Sequence, residues 1–132
     1  MTLWTAPPTM KVAPGNAGAK GIGVFATAAI ARGETISCDC TIPLSPADVR
    51  AVTPTVIDHY YFAHPEDDEC GLLVLGLASL CNHADHPSAL TVTARDPDLG
   101  WIVTLVAAHA IAAGEEITRR YACPVWFEPE AG

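Results

Sequence analysis

The sequence predicts a mainly β domain of short strands and tight turns. Three observations carry that reading. Eleven prolines and ten glycines punctuate the 132 residues, the apolar stretches between them are short and partly alternating, and the best helix-start signal is one brief segment, Ser45-Pro46-Ala47-Asp48. The length fits a single domain, residues 1–132, large enough to bury a core without staples.

Taken in order, residues 10–13 read as a strand, 14–20 as a loop, 22–26 as a second strand and 34–43 as an extended run. Ser45 as N-cap with Pro46 at the first helical position starts a helix that runs to about Val52 and stops before Thr53-Pro54. Residues 59–63 and 72–75 are strand-like, and 77–81 suit one helical turn. Residues 89–95 and 101–107 flank Asp96-Pro97-Asp98-Leu99-Gly100, a hairpin with a five-residue loop. Alternation of Thr91, Thr93 and Arg95 against Leu90, Val92 and Ala94 gives that hairpin one polar face. An internal echo joins Ile30-Ala31-Arg32-Gly33-Glu34 to Ile111-Ala112-Ala113-Gly114-Glu115. Each copy reads as a strand end, a turn with positive φ at glycine, and a new strand.

The net charge of −8 and the lack of a basic cluster argue against direct binding to nucleic acid. The acidic run Glu66-Asp67-Asp68-Glu69, with Glu128 and Glu130, is either a solvated surface or a field that steers a basic protein inward. No apolar run approaches a membrane span and no secretory n-region opens the chain, so the expectation is a soluble, cytoplasmic protein without membrane contact. Cys38, Cys40, Cys70, Cys81 and Cys123 form an odd set, read as reduced thiols. Cys38 and Cys40 alternate on one strand face and invite a zinc reading with Cys70, Cys81 or a histidine. Their spacing matches no zinc signature, so they are expected to be buried and apolar, with no metal.

Asn82 and His83 follow the nearly nonpolar run 72–80, where water is scarce and their polar atoms need partners. A ligand can supply those partners, and so can neighbouring backbone. Gly21-Ile22-Gly23-Val24-Phe25-Ala26 formally fits a dinucleotide fingerprint but lacks the preceding strand and following helix. The two glycines instead make a tight turn, or let backbone approach a non-phosphate ligand.

Three segments in order resemble the SET-domain protein lysine methyltransferases. Lys20-Gly21-Ile22-Gly23 with Ile30 to Glu34 is similar to the family's GxG segment; Ser79-Leu80-Cys81-Asn82-His83 through Pro87-Ser88 is similar to its NHSxxPN segment; Gly114-Glu115-Glu116-Ile117 with Tyr121 is similar to its closing GEEL-x-x-x-Y segment. The resemblance is to compact bacterial or viral members, with a core at about 11–121 and a short tail at 122–132. It implies several small curved sheets and a C-terminal pseudoknot. It also implies S-adenosylmethionine as methyl donor, with S-adenosylhomocysteine as product, and a lysine of a basic, histone-like, DNA-associated or ribosomal protein as acceptor.

By that resemblance Tyr121 is the catalytic residue, and Lys20, Gly21, Ile22, Gly23, Asn82 and His83 hold the cofactor. Trp126 or Phe127 covers the adenine, and Tyr60 or Tyr61 walls the lysine channel, one facing inward if the segment is extended. A homodimer whose second subunit completes the site is compatible with it. The chain departs from the family pattern at Ala84, at Ser88 and at Arg119-Arg120, where lost hydrogen bonds are worth roughly 1 kcal/mol each. The rival readings are a SET-like binding module without catalysis, and a small zinc protein built on Cys38 and Cys40.

Overall fold

Gly33 and Gly114 hold φ at 86° and 90°, a region that suits glycine and strains other residues. These two turns organise the protein, whose structure, a computed structural model, describes residues 10–120. In each turn the glutamate folds back on its own loop. Glu34 Oε1 accepts from the Ala31 N–H at 2.8 Å, and Glu115 Oε1 accepts from the Ala112 N–H at 3.2 Å. The echo segments face one another, because Ile30 and Ile111 exchange two N–H···O bonds of 2.8 Å. Both isoleucines are buried.

Strands β1 (Val12–Asn16) and β2 (Ile22–Ala26) form an antiparallel hairpin around a 3-10 turn, Gly18–Lys20. The first strand thus begins later than expected and runs through Pro14. That proline is tolerated because β1 is the edge of its sheet. Strand β3 (Thr35–Leu44) leads to helix α1 (Pro46–Val52). The helix starts where the sequence places it. The Asp48 N–H donates to Ser45 Oγ at 3.1 Å and the Ser45 N–H donates to Asp48 Oδ2 at 3.0 Å, a reciprocal capping box.

Residues 59–63 do not form the expected strand. Thr55 caps a 3-10 turn, Val56–His59, by accepting from the Ile57 N–H, and Tyr60 at φ −121° and ψ −10° is not extended. Only β4 (Phe62–Ala63) remains, paired with β5 (Gly71–Val74). A further turn, Leu77–Leu80, precedes β6 (Asn82–His83). Strands β7 (Ala89–Asp96) and β8 (Gly100–Ala107) form the hairpin, but Asp96 pairs with Gly100, which shortens the loop to 97–99. The Asp96 carboxylate accepts from the Asp98 and Leu99 amides at 2.8 and 3.0 Å, so its turn chemistry is spent inside the hairpin. Strand β9 (Glu116–Arg119) is the last described element.

Two sheets result, in the orders β1-β2-β9-β6 and β4-β5-β3-β8-β7. A bulge in β3 between Thr35 and Ser37 sharpens the bend of the larger sheet. The core packs Val24, Ile36, Leu72, Leu105, Ile111 and Ile117, among others, between them. Each such side chain contributes about 1.5–3 kcal/mol by leaving water. Cys38 and Cys40 do share a strand face, through register partners Thr104 and Ile102. Among the described cysteines only Cys38 and Cys81 are buried, however; Cys70 is half-buried and Cys40 is exposed. The uniform burial expected of the cysteines fails because β3 runs from the core toward the sheet's open end, where Ile42 is also exposed. Among the described residues no helix is long and apolar enough to cross a membrane. Cys123 lies outside them.

Candidate functional site

Strand β9 brings the separated motifs together. On one side it pairs antiparallel with β2, setting Phe25 opposite Glu116, and on the other it pairs parallel with β6, setting Asn82 opposite Thr118. Asn82 is 3% exposed. Its Nδ2 donates to the Ile22 carbonyl at 3.2 Å and to Glu116 Oε2 at 2.8 Å. Two acceptors fix the orientation of the amide, and Oδ1 accepts from no described residue.

Glu116 Oε1 receives Lys20 Nζ at 2.6 Å. These side chains are 17% and 11% exposed, so the pair keeps more of its Coulombic attraction than a surface pair would. Gly23 sits over the junction. A Cβ there would lie 2.6 Å from Glu116 Oε2 and 3.0 Å from Asn82 Nδ2, so only glycine lets β2, β6 and β9 converge this closely. Beside it opens a shallow depression of about 470 Å³ edged by Asn16, Gly18, Gly21 and Ile22. The Ile22 carbonyl and the Glu116 carboxylate, both bonded to Asn82 Nδ2, make this junction an acceptor-rich cradle, and acceptors suit an ammonium group.

The SET domain family profile matches residues 21–122, which include every strand of this cradle except β1. The chain belongs to the SET domain family. No curated protein matches it significantly. Among solved structures, a Plasmodium falciparum protein described as a candidate histone methyltransferase is 24% identical, with a TM-score of 0.68 over 89% of this chain and 97% of that one. The Chaetomium thermophilum Polycomb Repressive Complex 2 bound to S-adenosylmethionine is 25% identical, with a TM-score of 0.68 over 84% of this chain. A structure of the same complex with H3K27me3 and H3K27M gives a TM-score of 0.71 at 24% identity. The SET chain spans 15% and 14% of those two larger chains.

Within this SET domain, His83 turns its ring away from the cradle to Asp85, with Nε2 2.9 Å from Oδ1. That bond, before any other influence, holds the Asp85 carboxyl below its usual range. Ser88, where the family pattern has Asn, still ties β9 in place. Its N–H donates to Thr118 Oγ1 at 3.0 Å, its Oγ donates to the Glu116 carbonyl at 3.1 Å, and it accepts from the Thr118 N–H at 2.9 Å. The hydrogen bonds expected to be lost there are replaced. Arg119 is buried and lies over the Phe62 ring, 3.7 Å from its centroid.

A cavity of about 380 Å³ opens between the β4 and β7 edges of the larger sheet, lined by Tyr61, Phe62, Thr91, Thr93 and Arg119. Thr91 and Thr93 of the hairpin's polar face border this cavity, Thr93 half-buried and Thr91 still exposed, while Leu90 and Val92 on the other side are 54% and 48% exposed. Tyr61 joins the cavity wall and Tyr60 does not, although strand alternation is not the reason. Burial pushes the Cys81 thiol up to about 12, Arg119 opposing it. Among the described residues no three His, Cys, Asp or Glu side chains cluster to hold a metal. Tyr121, Trp126 and Phe127 lie outside the described residues.

The sequence offers one signal for Glu116, the second acid of Gly114-Glu115-Glu116. The two acids divide the work: Glu115 closes its own turn, while Glu116 enters the cradle.

Proposed function

We propose that this chain is an S-adenosylmethionine-dependent protein lysine methyltransferase. The observation that carries the reading is the convergence of Gly23, Asn82 and Glu116 where a Cβ on residue 23 would not fit. The residues suit the amino-acid end of the donor. Glu116, the Ile22 carbonyl and Asn82 Oδ1 are acceptors for its ammonium, while the exposed backbone of Gly21 and Ile22 borders the open side. Lys20 balances the Glu116 charge, so the cradle does not depend on a ligand for neutrality. The bound cofactor supplies an electrophilic sulfonium methyl.

Catalysis then rests on positioning an uncharged lysine amine and excluding water, with no covalent nucleophile on the protein. Tyr121, two residues past the end of β9 in the sequence, is the proposed orienting hydroxyl, a role taken from the family's closing motif. The acceptor is a basic protein, supported by the net charge of −8 and by Asp67 and Asp68 beside the β4–β5 hairpin.

Calorimetric titration with S-adenosylhomocysteine tests the cradle. The parent is expected to bind near one equivalent, and Asn82→Ala to bind about tenfold more weakly through its lost hydrogen bonds. Folded parent that shows no binding overturns the reading. Binding of S-adenosylmethionine without methyl transfer to any basic protein would leave a SET-like binding module.

A further inference from the structure

The charge of the cavity between the β4 and β7 edges runs against that of the chain. In a protein of net charge −8, the buried ionised group on its wall is a cation, Arg119, 6% exposed. Asp68 also lines the cavity, but it is exposed, so water solvates and screens its carboxylate. Arg120, a second cation, is exposed as well. A buried guanidinium stays charged at any pH the protein meets and has given up most of its hydration, so an anion gains more beside it than in water.

The rest of the wall says what kind of anion fits. Phe62 is buried against Arg119, whose guanidinium carbon lies 3.7 Å from the ring centroid, so the charge rests on a flat apolar surface. Thr91 and Thr93 pair with Val103 and Leu105 in the β7–β8 register, and those two partners belong to the core. Both threonines therefore stand on the core-facing side of β7, and each hydroxyl is a donor as well as an acceptor. Tyr61 and His64 add aromatic wall, with the His64 ring edge-on to Trp101 at 5.3 Å between centroids.

We propose that this cavity binds a carboxylate carried on a short or flat apolar body, with Arg119 meeting the charge, the Thr91 and Thr93 hydroxyls donating to the oxygens, and Tyr61 and Phe62 covering the carbon. The chemistry is selective. A planar guanidinium matches the two oxygens of a carboxylate better than it matches a single hydroxyl. An ammonium is repelled by Arg119, and a neutral alcohol leaves the buried charge without its counterion. At about 380 Å³ the cavity lies at the small end of ligand pockets and suits a body of about one aromatic ring. The group is the same in a small organic acid and in an acidic side chain of the acceptor protein. Only the second source rests on the proposed methyl transfer; the site itself does not.

The test is an amide NMR titration of the full chain with benzoate, run beside benzyl alcohol and benzylamine, which carry the same ring with no charge and with the opposite charge. Saturable shifts at Phe62, Thr93 and Arg119 with benzoate alone are expected. Arg119→Met should weaken benzoate binding by about tenfold or more, and Thr93→Val, which keeps the shape and removes one donor, by about threefold or more. Thr93→Val should bind S-adenosylhomocysteine as the parent does, which separates failure of this site from failure of the cradle. Equal shifts by the three probes, a preference for benzylamine, no shift with benzoate, or an unchanged affinity in Arg119→Met would overturn the proposal. Should Arg119→Met not fold, Thr93→Val and the three probes on the parent decide. A capped peptide with a single glutamate and its glutamine counterpart identify the source. Shifts at the same amides with the glutamate peptide alone assign the site to an acidic side chain, and shifts with benzoate but neither peptide assign it to small organic acids.

Discussion

Gly23 has three atoms within 3.0 Å of where a Cβ would stand: Glu116 Oε2, Ala17 Cβ and Asn82 Nδ2. None is the free end of an exposed side chain, since Asn82 is buried and Glu116 is held by Lys20. Gly23→Ala is therefore expected to cost about 1–3 kcal/mol by overpacking. It should also weaken S-adenosylhomocysteine binding, because the Glu116 and Asn82 side chains must shift to make room. Chemical denaturation and calorimetry of the same preparation check both, and an alanine variant with parental affinity would remove Gly23 from the cradle. Much of this residue-scale picture is legible in the sequence, because glycine, asparagine and glutamate at these spacings carry a family pattern. What is not legible is the division of labour. Nothing in Gly114-Glu115-Glu116 says that the first acid bonds its own loop and the second reaches Asn82. That distinction exists only once β9 has a partner on each side.

Ser88 holds β9 against the hairpin, using both its backbone amide and its hydroxyl on Thr118 and Glu116. Ser88→Ala removes the hydroxyl's bonds to the Glu116 carbonyl and to Thr118 and leaves the part-buried Thr118 amide without that acceptor, an expected loss of roughly 1–3 kcal/mol. Urea unfolding measures it; a loss near zero would mean that β9 is held by its strand pairings alone. Elements with local causes were the readable ones. Helix α1 is announced by a serine, a proline and an aspartate that form its cap. The two Gly-Glu turns are announced by their glycines. Elements decided at a distance were not. Residues 59–63 have strand composition, yet the Thr55 cap curls the segment, and only Phe62 and Ala63 find partners across β5. The polar face of β7 is legible, but not that its Thr91 and Thr93 border a cavity shared with Tyr61 and Phe62, which requires the larger sheet to bring its two edge strands near each other.

Three carboxylates are held below their ordinary range by local bonds: half-buried Glu34 first by the Ala31 amide, and exposed Asp48 and Asp85 by the Ser45 amide and the His83 ring. A depressed carboxylate contributes stability that is present above its unfolded value and is lost as the pH falls through its folded one. Asp39 has the opposite sign, since its carboxyl is raised, so its ionised form disfavours the folded state as the pH rises. The three outnumber the one. The melting temperature is expected to fall as the pH drops below the ordinary carboxylate range near roughly 4, and Asp48→Asn should make that fall shallower. A flat melting profile through that range would show that these bonds persist in the unfolded chain or are too exposed to count. Strand order has another consequence. The β1–β2 hairpin is complete by Ala26 and β6 by His83, yet β9, the strand that lies between them, spans Glu116–Arg119. A chain emerging from the ribosome therefore carries both halves of the smaller sheet as open edges until β9 clears the exit tunnel, and such non-local pairing is slow. The nascent polypeptide has every reason to need shielding during that interval, and a premature stop anywhere before Glu116 would leave two edges with nothing to join them.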